Sequence, residues 1–142
     1  MIMPKESTKI LVLCTGNSCR SIMAEALLNY MGQGRYHAHS AGSHPTGEVH
    51  PKALDTLQRH EIDPGQPHSK SWDTMTNTAF DLIITVCDHA AGESCPTFPG
   101  QPKKIHWSIP DPAKATGTQA DIQAAFDQVF FLLKERIETL QT

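Results

Sequence analysis

The chain lacks most of what would commit it to a membrane, to secretion or to a nucleic acid. No apolar run approaches the ~20 residues that span a bilayer. The start, Met1 to Thr8, carries Pro4, Lys5 and Glu6 where a secretory signal would have an apolar stretch, and it reads as a flexible N-terminus. Charge of one sign is also scarce: a net charge of -3, with 19% charged and 39% hydrophobic residues, gives nucleic acid no electrostatic footprint. No repeat, linker or break in composition divides the 142 residues. That length fits one domain, 1–142, which can bury a core without a metal or disulfides. The expectation is a cytoplasmic protein with no nucleic-acid or membrane partner.

Tight cysteine pairs are missing as well. The four cysteines are Cys14, Cys19, Cys87 and Cys95. In a reducing compartment they point to catalysis, redox chemistry or metal binding more than to structural bridges. The pairs Cys14/Cys19 and Cys87/Cys95 have four and seven intervening residues, unlike the close pairs of structural zinc sites. The eight histidines, His37, His39 and His44 among them, form no metal-binding helical pair. No metal site is expected, and the histidines are assigned to the surface.

What is present is an alternation of strand and helix patterns. Lys9 to Cys14 is a short apolar run, read as a buried strand. A Gly-containing loop follows, then helical spacing of Met23, Leu27, Tyr30 and Met31, stopped by Gly32 and Gly34. Tyr36 to Ala41 suggests a second strand. Pro51 opens a helix through Ala53, Leu54 and Leu57 that fades near Pro64. Asp81 to Cys87 is continuously apolar and β-branched, as in a strand covered on both faces, and Lys104 to Ile109 is a weaker strand. From Thr118 onward Ile122, Phe126, Val129, Leu133 and Leu140 trace a long closing helix. Such alternation predicts an α/β domain, a parallel sheet with helices on both faces.

The segment Cys14-Thr15-Gly16-Asn17-Ser18-Cys19-Arg20-Ser21 joins the first strand to the first helix. Its N–H groups can converge on a tetrahedral oxyanion, as other phosphate cradles do, and Arg20 can add a planar, bidentate fork. A thiol ionises more readily at a helix N-terminus, among inward N–H groups and beside an arginine. Cys14 is therefore the candidate nucleophile, with Ser21 able to donate its hydroxyl to the thiolate. Cys19 reads as a packed thiol within the loop, and Trp72 and Trp107 as core or rim packing.

Cys14, Arg20 and Ser21 fit a signature of Cys, five residues, Arg, then Ser or Thr near the N-terminus. On it the sequence resembles the low-molecular-weight protein tyrosine phosphatase family. The resemblance spans nearly the whole chain, because Asp111-Pro112 stands where that family carries its general acid. It implies a four-stranded parallel sheet in flavodoxin-like order 2-1-3-4, with the site beside the ends of the first and third strands. Cys14 and Cys87 end those strands.

Within the family, the words of the loop and the later Cys87 and Cys95 are similar to arsenate reductases that use an intramolecular thiol relay. That likeness implies attack of Cys14 on arsenate, for which phosphate is an analogue. Cys87 then releases arsenite by forming a Cys14–Cys87 disulfide, and Cys95 takes over Cys87. No bound cofactor is implied. An external reductant is required, thioredoxin or glutaredoxin with glutathione. Neighbouring strands lie about 5 Å apart, so the first transfer needs little motion. Eight residues of helix would hold Cys87 and Cys95 about 12 Å apart, beyond the ~7 Å disulfide limit, so the second requires Asp88 to Ser94 to reshape.

The alternative is a tyrosine phosphatase, which needs only the first cysteine. Ala113 follows Asp111-Pro112 where such enzymes usually carry aromatics, and Ser43 to Thr46 offers no aromatic wall. Some thioredoxin-coupled relatives also hold potassium beside the loop. Asn17, Glu25 and Ser40 match three of those ligands, but Ser71 stands in place of the fourth, an Asp.

Overall fold

The computed structural model describes residues 7–88, 92 and 97–140. The expectations placed on Cys95 and on most of the stretch between Asp88 and Cys95 thus lie outside the described residues.

Four strands, β1 (Thr8–Leu13), β2 (Tyr36–Ala41), β3 (Leu82–Thr85) and β4 (Lys103–His106), form one parallel sheet in the order β2-β1-β3-β4. The predicted order 2-1-3-4 is the one found. Leu13 lies opposite Ala41 on one side and Thr85 on the other. β1 and β3 are therefore central, and their C-terminal ends are level at one edge of the sheet.

Alternation along β1 explains its unbroken apolar character. Ile10 and Val12 face one core, and Leu11 and Leu13 face the other. The first core is closed by α1 (Arg20–Gly32), α2 (Pro51–Arg59) and α3 (Gln119–Glu138), through Met23, Leu27, Leu57, Phe126 and Leu133. The second core is smaller, and its cover among the described residues is the short 3-10 helix Trp72–Met75 with Phe80 and Phe98. Trp107 is buried in the first core and Trp72 is half-buried against the second, in the packing roles expected of them.

Local chemistry sets the helix ends. Thr118 caps α3 in a reciprocal capping box with Asp121. Pro51 occupies the first turn of α2, and the His50 ring accepts the Lys52 N–H. The Pro51 helix stops at Arg59, short of Pro64, because Glu61 takes a left-handed φ of 62°. β4 likewise ends at His106 rather than at Ile109, the chain there turning inward to bury Trp107 and Ile109. Among the described residues no helix is long and apolar enough to cross a membrane.

Unlike α2 and α3, α1 begins with no side-chain capping bond: Cys19 occupies the cap position, and the first turn holds no acidic residue. Its uncompensated N–H groups, the positive end of the helix, face the loop that precedes it.

Candidate active site

The sheet edge where β1 and β3 end gathers nearly every residue singled out by sequence. Cys14 follows β1 directly, and its N–H still pairs with the Ala41 carbonyl at 3.2 Å. Cys87 lies two residues beyond β3. Both are buried, at 5% and 3% exposure, and their thiols are hydrogen-bonded to each other. Thr15 N–H donates to Cys87 Sγ at 3.3 Å, with the Thr15 hydroxyl 3.6 Å from the same sulfur.

The loop between Cys14 and Arg20 is braced from outside. Its carbonyls face away from the concavity and accept bonds: Thr15 from His44 N–H at 2.9 Å, Gly16 from Thr46 N–H at 3.0 Å, and Ser18 from His50 N–H at 2.9 Å. The Ser69 hydroxyl adds a second bond to the Gly16 carbonyl at 3.2 Å. With its carbonyls spent outward, the loop is disposed to turn its N–H groups inward, as an anion cradle requires.

Asn17, fully buried and left-handed at φ 45°, holds the turn. Its amide donates to Ser21 Oγ at 2.8 Å, and its carbonyl accepts the Lys70 N–H at 2.9 Å. Ser21 uses an oxygen lone pair there and keeps its hydroxyl proton to give.

Arg20 closes the mouth of the loop. One guanidinium nitrogen donates to the Ile109 carbonyl at 2.9 Å, and another lies 3.6 Å from Asp111 Oδ2. The buried Nε has no hydrogen-bond partner among the described residues. Leaving such a donor bare costs free energy unless a ligand meets it, so this atom points to an acceptor that binds in the site.

Asp111 is brought to the loop by its own turn. Its carboxylate caps the 3-10 helix Pro112–Lys114, with Oδ1 accepting the Ala113 N–H at 3.0 Å. The Cys19 thiol lies 3.8 Å from the same oxygen. Cys19 is buried, and burial with the neighbouring Asp111 charge pushes its thiol up to about 11, so it stays protonated, as its reading as a packed thiol anticipates.

Cys14 differs from the ready thiolate that its setting suggests in sequence. The hydrogen bond to Cys87, followed by burial, pushes the Cys14 thiol well above its ordinary value, while Arg20 pulls it down. The sequence reading placed Cys87 beside Cys14 but weighed only the loop and Arg20 in judging the acidity of the thiol.

Beside the residues matched to a potassium site stands a cation of the chain's own. Glu25 is largely buried, which pushes its carboxyl up, and the Lys70 ammonium opposes that shift and supplies positive charge. Ser71, in place of a carboxylate, caps the 3-10 helix Trp72–Met75, its hydroxyl oxygen accepting the Asp73 N–H at 3.1 Å.

Three supporting residues escaped the sequence reading: Ser69, Lys70 and Gly42. Gly42 had a signal in being the glycine that ends β2, since such glycines mark close backbone approach. A Cβ there would fall 2.4 Å from both the Cys14 and Thr15 carbonyl oxygens. Gly42→Ala should therefore displace the loop, cost about 3 kcal/mol and weaken binding of inorganic phosphate. Denaturant melts and phosphate titration check this, and unchanged phosphate affinity would contradict it.

A Cys-x5-Arg loop at the crossover of a 2-1-3-4 parallel sheet, with an Asp-Pro turn across its mouth, is a setting suited to a tetrahedral oxyanion. The chain belongs to the low molecular weight phosphotyrosine protein phosphatase family, whose profile matches residues 9–142. It is similar to an arsenate reductase of Halalkalibacterium halodurans, 39% identical over 131 residues and covering 92% of each chain. It is also similar to one of Bacillus subtilis, 37% identical over 139 residues, covering 94% of this chain and 98% of the other. Among solved structures it resembles an arsenate reductase in the phosphate binding state, with a TM-score of 0.72 and 26% identity, covering 92% and 94% of the two chains.

Proposed function

We propose that this protein is a cytoplasmic arsenate reductase that works through a three-thiol relay without a bound cofactor. The observation that carries the reading is the meeting of two buried thiols, Cys14 and Cys87, where β1 and β3 end beside the oxyanion loop. A phosphatase has no use for the second.

Arsenate enters the loop, held by N–H groups of Gly16, Asn17, Ser18, Cys19, Arg20 and Ser21 and by the free Nε of Arg20, while the Thr15 N–H stays on Cys87. Because Cys87 and burial hold the Cys14 thiol protonated, the nucleophile is generated in the site. The doubly charged oxyanion is the nearest base. The Cys14 thiolate attacks arsenic, an As–O bond breaks, and Asp111 passes the proton that Cys14 gave up to the departing oxygen, which leaves as water.

Cys87 then attacks Cys14 Sγ. The S–As bond breaks, its electron pair reduces arsenic to arsenite, and a Cys14–Cys87 disulfide remains. Cys95 attacks Cys87, frees Cys14, and the resulting Cys87–Cys95 disulfide passes to an external dithiol such as thioredoxin, or to glutaredoxin with glutathione.

Thiol counting decides between the readings. The reduced protein, given arsenate, should lose two thiols per arsenite formed, and an aryl phosphate should cost it none. Phosphate release without any thiol loss to arsenate would overturn the reductase in favour of a phosphatase. Asp111→Asn should slow formation of the first adduct by about 10²-fold while phosphate affinity holds. An unchanged rate in rapid-mixing experiments would remove Asp111 from the mechanism.

A further inference from the structure

Cys87 must be placed within bonding range of Cys14 although it stands two residues beyond the end of β3, where the strand ladder no longer fixes it. One imidazole spans that gap. His106, the last residue of β4, has Nδ1 2.7 Å from the Thr85 hydroxyl and Nε2 2.8 Å from Asp88 Oδ1. Thr85 and Asp88 flank Val86 and Cys87, so the ring grips the chain on either side of the sulfur-bearing residue.

The bonding is chemically consistent in one tautomer. A carboxylate only accepts, so Nε2–H donates to Asp88, and Nδ1 then accepts the Thr85 hydroxyl proton. The backbone completes the frame: Trp107 N–H donates to the Thr85 carbonyl at 2.8 Å, and Val86 N–H to the Leu13 carbonyl at 3.0 Å. Asp88 is drawn in the same direction by the Ser108 side chain and by Arg20, and with His106 these hold its carboxyl below the ordinary range.

From this geometry we infer that His106 is a positioning residue for the second step of the reaction, clamping Thr85 and Asp88 so that the Cys87 thiol is presented to Cys14. The inference rests on the relay proposed above. It assigns His106 no contact with the oxyanion, and so no part in the first step. An intramolecular thiol attack gains its rate from held geometry. Loosening the clamp should lower that advantage without altering the loop, which His106 does not touch among the described residues.

The test uses the full chain carrying Cys95→Ser and Cys19→Ser, in which Cys14 and Cys87 are the remaining thiols. Diamide oxidises that pair to a disulfide and is itself reduced to the hydrazine, so the rate reports how well the two sulfurs are placed whether or not arsenate is a substrate. His106→Ala should slow disulfide formation about tenfold, while aryl phosphate hydrolysis by the otherwise unaltered chain stays within about twofold of normal. His106→Gln, whose amide can still donate to Asp88, should recover most of the oxidation rate. Asp88→Asn should add little to His106→Ala, since both break one clamp.

An unchanged oxidation rate in His106→Ala overturns the inference. Equal loss of oxidation and hydrolysis also overturns it, since that marks general loosening of the fold. If arsenate consumes no thiols in the intact protein while His106→Ala still slows diamide oxidation, the relay fails and the clamp stands.

Discussion

Cys14→Ser is expected to abolish arsenate reduction and any hydrolysis of aryl phosphates, with rates falling by about 10⁴-fold or to background. A serine hydroxyl is far less acidic than a thiol and cannot form the S–As or S–S bonds on which both halves of the cycle depend. The substitution is nearly isosteric at a position only 5% exposed, so the loop and its braces should persist. Inorganic phosphate should still bind, and the melting temperature should move by no more than a few degrees. Substantial turnover by the variant, measured as arsenite or phosphate release, would reject Cys14 as nucleophile. Arg20→Lys should approach the same loss by another route. An ammonium cannot replace a guanidinium that already holds the Ile109 carbonyl and faces Asp111 while keeping Nε for the substrate.

Cys87→Ser should separate the two chemistries. Arsenate reduction stops after the first attack, because no thiolate remains beside Cys14 to take the sulfur and leave its electrons on arsenic. Hydrolysis of an aryl phosphate, which ends with attack by water, continues. The expected contrast is a loss of about 10³-fold or more in arsenite formation against a change of a few-fold in phosphate release. Loss of both, or of neither, would reject the division of labour. Cys87→Ala should also remove the partner that keeps Cys14 protonated. Since Cys87 raises the Cys14 pKa, its removal lowers it, and alkylation of Cys14 by iodoacetamide should become fast at a lower pH.

Much of this arrangement is legible in the chain. The loop could be read because its chemistry is local: Cys14 through Ser21 are contiguous, and a strand, a glycine and a helix start suffice to make an anion cradle. The second strand, Tyr36–Ala41, has the bounds read for it in the sequence. The strand after Asp81 ends at Thr85, short of its apolar run: the Val86 N–H still bonds the Leu13 carbonyl and Val86 packs in the first core, whereas the buried Cys87 turns to the site. Hydrophobicity records burial and does not record pairing.

What could not be read is non-local. Lys70 reaches Asn17 and Ser69 reaches Gly16 through contacts that only the folded chain creates. His106 carries no mark in sequence separating it from the other histidines. The acidity of Cys14 depends on a sulfur brought in by β3, so the loop alone suggests a readier thiolate than the assembled site holds.

The burial of the thiols has one more consequence, for chemical selectivity. Cys14, Cys19 and Cys87 are exposed by 5%, 6% and 3%. A bulky thiol reagent should therefore label them slowly while the chain is folded and quickly once it is denatured, which a maleimide carrying a large dye would show.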